Sequence, residues 1–131
     1  MRRPSVPLVL AALLVASVAF AKTTGTANIT SLQSSGISGT AEFSLVGNGT
    51  VRVHESLSGL TPGAQYSSFI YSNSTTCGAG GTRALVMTFT APNNGKININ
   101  TVAPLQVSPV DGFASVSVEQ GSALLACGAI Q

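Results

Sequence analysis

Apolar and polar residues alternate with a period of two along most of the chain, which is the signature of half-buried strands. Thr26 to Leu32 places Ala27 and Ile29 on one side. Thr40 to Val46 places Ala41, Phe43 and Leu45 inward and Thr40, Glu42 and Ser44 outward. Thr50 to Ser58 returns with Val51, Val53 and Leu57 inward. Gly47-Asn48-Gly49 between the last two is a hairpin signal, because Gly and Asn tolerate positive φ. These three strands read as a meander. Gln65 to Ser72 carries bulk on both faces, Tyr66 and Ile70 against Phe69 and Tyr71, which predicts a strand covered on both sides. Arg83 to Ala91, Lys96 to Val102, Phe113 to Glu119 and Ala123 to Ile130 complete eight predicted strands. No stretch carries a useful helical period. Turn residues fill the gaps: Gln33 to Gly36, Gly59 to Gly63, Pro92 to Gly95 and Gln120-Gly121, with loops over Asn73 to Thr82 and Ala103 to Gly112. Eight short strands so punctuated predict an all-β sandwich or flattened barrel.

The first 21 residues stand apart. Met1-Arg2-Arg3 precedes an apolar run from Val6 that ends in Ala19-Phe20-Ala21. A basic start, a short apolar core and a small-residue site form a secretory signal peptide, with cleavage expected after Ala21. The run is too short for a spanning helix, although a retained N-terminal anchor is the alternative. Arg2-Arg3 lacks the remainder of a twin-arginine signal. Residues 1–21 are therefore read as signal peptide and residues 22–131 as one domain, destined for secretion or the periplasm.

Cleavage changes the charge picture. The whole chain carries a formal +2. Lys22, Arg52, Arg83 and Lys96 then face Glu42, Glu55, Asp111 and Glu119, and the balance is zero. A nucleic-acid footprint is not expected, nor a polybasic membrane patch. Two cysteines, Cys77 and Cys127, in an exported chain favour one disulfide over two free thiols. A thiolate metal site is disfavoured because no further Cys or His clusters beside either sulfur.

The order of motifs carries a resemblance. A strand ends in Gly59-Leu60-Thr61-Pro62-Gly63, a second strand follows, a small-residue loop delivers Cys77, and the chain closes on Leu125-Ala126-Cys127-Gly128-Ala129-Ile130. This succession resembles the copper/zinc superoxide dismutase superfamily across most of Thr40 to Ile130. Secreted CHRD-type domains share the same patterning and are the related alternative. The resemblance implies Greek-key connections and a bond from Cys77 to Cys127.

The resemblance does not extend to the chemistry. Copper and zinc in such an enzyme need several converging imidazoles, and the chain has one histidine. The strand expected to bear copper ligands reads Gln65-Tyr66-Ser67-Ser68-Phe69-Ile70-Tyr71, without a good ligand. A later histidine would fall near Val118 or Glu119. The guiding arginine position holds Leu124. Gly78 to Gly81 offers no zinc ligand, and Gln120-Gly121 stands where a long funnel loop belongs. His54, beside Arg52 on the outward face, is read as a surface residue. Glu55 interrupts an apolar face and predicts a sheet edge or bulge. With a single histidine and Asp111 far away in sequence, no Ser-His-Asp arrangement is supported. Tyr66, Phe69 and Tyr71 are read as packing residues before a binding surface. Asn28, Asn48 and Asn73 head glycosylation-like triplets, unexpected to be modified behind a bacterial-type signal. Met1 and Met87 make no copper(I) cluster. The expected function is therefore non-catalytic, without cofactor, in a structural or partner-binding role toward an unknown protein or envelope partner. A dismutase-type enzyme or metal-handling protein is the alternative.

Overall fold

The computed structural model describes residues 23–47, 50–72, 74–78, 83–103 and 113–131. The expected signal peptide, Asn48, Asn73, Asp111 and most of the loop before β7 lie outside these residues. The described residues form eight strands: β1 (Thr24–Ser31), β2 (Ser38–Gly47), β3 (Thr50–Ser58), β4 (Gln65–Ser72), β5 (Arg83–Thr90), β6 (Ile97–Ala103), β7 (Phe113–Gln120) and β8 (Ala123–Ala129). All pairings are antiparallel, in the order β5-β4-β7-β8-β1-β2-β3-β6. The sheet curls into a nearly closed barrel. β5 and β6 are its two edges and share no ladder, so a seam runs between them.

The expected meander is present: β1 pairs with β2, and β2 with β3. The non-sequential neighbours, β3 with β6 and β4 with β7, require the chain to cross barrel ends between β3 and β4 and between β6 and β7. The first crossing is the Gly59-to-Gly63 turn. Gly59 has φ +78°, and a Cβ there would run into the Gly36 carbonyl, so only glycine fits. Leu60, 4% exposed, plugs the core while its N–H donates to the Gly95 carbonyl at 3.1 Å. The Gly63 N–H donates to Ala91 at 2.9 Å, and the Thr61 N–H donates to the Tyr66 hydroxyl at 2.9 Å. The turn is thus stitched to the β5–β6 connection and to the start of β4. Gly63 also has positive φ, but open space surrounds its missing side chain. Gly63→Ala should therefore cost only the left-handed backbone penalty, about 1 kcal/mol, read from the urea midpoint.

Inside the barrel, Ile29, Phe43, Val51, Val53, Ile70, Ile99, Val116 and Val118 form a continuous buried core. Phe43 meets Phe113 edge-on at 6.2 Å, and Tyr66 stacks on Phe89 at 5.9 Å. Each such side chain contributes about 1.5–3 kcal/mol by leaving water. β5 departs from simple alternation. A bulge opposite Ser68/Phe69 switches its faces, so Phe89 and Met87 pack inward on one side of it and Val86 and Ala84 on the other. Leu85 is left 52% exposed.

Candidate functional site

β7 reads Phe113-Ala114-Ser115-Val116-Ser117-Val118-Glu119-Gln120. Its alternation sends Val116 and Val118 into the barrel and Ser115, Ser117 and Glu119 to the outer face. An outward face of an antiparallel sheet is normally solvated, yet these three residues are buried. Segment 74–78 lies against this face at Ser115. The Ser115 hydroxyl donates to the Ser74 carbonyl at 2.8 Å. Cys77 is bonded to Cys127 with a Cα–Cα distance of 5.9 Å, as expected from the sequence. The Cys77 N–H also points to the Cys127 sulfur at 3.2 Å.

Glu119 is the centre of this covered layer. Its Oε2 accepts from the Tyr71 hydroxyl at 2.8 Å and from the Ser117 hydroxyl at 2.6 Å. Its Oε1 accepts from Arg83 Nη1 at 2.9 Å, the one ion pair among the described residues. The Arg83 guanidinium lies 4.1 Å over the Phe69 ring, a cation–π contact that holds it in place. Burial, then the bond to Glu119, pushes the Tyr71 hydroxyl above its ordinary range, so it stays protonated and remains a donor. With three donors on two oxygens, the carboxylate acts as a clamp joining β4, β5 and β7. Glu119→Gln keeps the shape but presents an amide to some of those donors. It should cost about 1–2 kcal/mol. Arg83→Gln should cost less than about 1 kcal/mol, because the arginine side chain is half exposed. Urea denaturation of both variants separates the two contributions.

A second buried carboxyl lies on the other side of the sheet. Glu55 was expected at a sheet edge or bulge, and the structure corrects this. β3 is laddered on both sides, and Glu55 sits in regular register between Ala41 of β2 and Ile99 of β6. Its side chain follows Val51 and Val53 into the core and is fully buried. Oε1 accepts from the Ser68 hydroxyl of β4 at 2.9 Å, and Oε2 has no hydrogen-bond partner. Desolvation raises the Glu55 pKa from 4.5 to about 7, against a smaller opposing effect of the Ser68 bond.

His54 is exposed on the outer face of β3, opposite Glu42 and Asn100, as a surface residue. With Thr40, Ser56 and Asn98 it lines a shallow polar depression. Tyr66 and Tyr71 are buried, in agreement with a packing role. Leu124 is half-buried, 3.8 Å from the position a Cβ of Gly78 would take. The sequence reading missed the Glu119 network. Its signal was the Ser-x-Ser-x-Glu run on β7, polar at every position of one face. Among the described residues, no three His, Cys, Asp or Glu side chains converge, and no helix is long and apolar enough to cross a membrane. No protein-family model matches the chain, and no curated protein matches it either.

Proposed function

We propose that this chain is a non-catalytic, superoxide dismutase-like or CHRD-like module, exported from the cytoplasm, with a structural or partner-binding role. The observation that carries the reading is the Glu119 layer. The resemblance would put metal ligands on the strand Gln65 to Tyr71 and near Val118 or Glu119, that is, on β4 and β7. The outer face of those strands carries instead Phe69, Tyr71, Ser117 and a carboxylate whose two oxygens accept from the protein's own donors. A group so engaged supports the fold and is poorly placed to bind a substrate or ion. The buried disulfide is compatible with an oxidising compartment outside the cytoplasm. The exposed hydroxyls and amides around His54 suit a polar partner.

The test is direct. Protein prepared by secretion, incubated with copper and zinc and then desalted, is expected to retain no stoichiometric metal and to consume superoxide no faster than a metal-free control. One tightly held copper per chain together with rapid superoxide consumption would overturn the proposal in favour of a dismutase-type enzyme. Stoichiometric metal without that activity would favour metal handling.

A further inference from the structure

Among the described residues, the seam between β5 and β6 is the one place where the barrel wall is not closed by a ladder. Glu55 and Ser68 stand on either side of it. Glu55 is paired in register with Ile99 of β6, and Ser68 with Met87 of β5. The Ser68-to-Glu55 hydrogen bond, 2.9 Å long, therefore joins the β3–β6 wall to the β4–β5 wall through the barrel interior. The bulge in the β4–β5 ladder falls at Ser68/Phe69, so that wall is weakest beside the bond. We propose that the Glu55–Ser68 pair is a pH-sensitive latch on this seam, kept closed while Glu55 is protonated and loosened when Glu55 ionises, because the single bond from Ser68 only partly offsets a charge in the apolar core.

The surroundings leave ionisation uncompensated. Ala41 of β2, Ile99 of β6, and Tyr66 and Ile70 of β4 line the core around the pair, with Phe89 and Met87 of β5 and Val118 of β7. Of these only Tyr66 can titrate, and its hydroxyl is held by the Thr61 N–H. The described charged groups and the histidine lie on the other face or in turns: Glu42, Arg52, His54 and Lys96 are exposed, and Arg83 and Glu119 are paired with each other. A protonated carboxyl leaves one oxygen short of a partner, whereas a carboxylate leaves a full charge in an apolar core. Among the described residues the seam is the stretch of wall without a main-chain ladder, and so the stretch that opens to water with the fewest bonds broken. The raised pKa, about 7, places the release near neutrality. In the open form the group ionises at its ordinary value, so opening becomes more favourable as pH rises.

Amide hydrogen exchange, corrected for intrinsic rates, tests the latch. The laddered amides of β5 and β6 are expected to exchange faster than those of β1 and β2, through an opening with little urea dependence. Their opening should increase about tenfold or more between pH 5.5 and 8.5. Glu55→Gln, which imitates the neutral acid, should flatten that rise, and Ser68→Ala should raise exchange at pH 5.5 while keeping it. A carbon-13 titration of the Glu55 carboxyl supplies an independent reading. Three results would each overturn the proposal: β5 and β6 amides exchanging only with global unfolding, an unchanged pH response in Glu55→Gln, or a carboxyl that titrates near 4.5.

Discussion

Replacing Cys77 and Cys127 together by serine is expected to lower stability by about 4 kcal/mol and the melting temperature by roughly 15 °C. The two cysteines are 50 residues apart. Cross-linking so long a loop removes a large part of the unfolded chain's conformational freedom, and that freedom returns when the bond is absent. The native state loses as well, because the bond holds the segment 74–78 against β7 at Ser115 and Val116. The effect should be largest there: the Ser115 hydroxyl would lose its Ser74 acceptor and gain access to water. Thermal melts of the oxidised protein, the reduced protein and the double variant measure it. A double variant melting within about 3 °C of the oxidised protein would show that segment 74–78 is held by packing alone.

Raising the pH from about 5 to 8 is expected to cost roughly 3 kcal/mol through Glu55 alone. Folding raises the group's pKa from 4.5 to about 7. Between those values the folded protein keeps a proton that the unfolded chain releases. Stability is therefore highest below about 4.5 on account of this group, falls through the window, and levels off above about 7. This is opposite to a salt-bridged carboxylate such as one held below its ordinary value, which loses stability as pH falls. Glu55→Gln removes the titration while keeping an acceptor for Ser68. Urea denaturation at several pH values should show the wild-type curve declining relative to the variant, with the variant the more stable at pH 8. Parallel curves would place the Glu55 proton outside the folding equilibrium.

Much of the architecture was legible along the chain. Val51, Val53 and Leu57, or Val116 and Val118, fall two apart because a strand turns alternate side chains to one core, and the strand bounds follow within one or two residues. The Gly59-to-Gly63 turn was legible for the same local reason: proline and glycine restrict or release φ wherever they stand. The partners in the sheet were not. β4 beside β7 and β3 beside β6 are pairings between segments more than 30 residues apart, and alternation assigns a face without assigning a neighbour. Glu55 shows the limit most clearly. Its spacing put it on the core face, but its charge argued for an edge. The barrel decided by setting Ser68 opposite it, so that the carboxyl could be buried as a hydrogen-bonded acid.

The sequence by itself determined an all-β chain with its strands, its tight turns and a pair of cysteines available for bonding, because these depend on properties of neighbouring residues. Only the tertiary structure decided that Tyr71 and Arg83 would meet Glu119 on the outer face, and that Glu55 and Ser68 would meet across the seam. Each of those contacts joins different strands, and whether a polar side chain is solvated, clamped or neutralised depends on what the other strand places within about 3 Å of it.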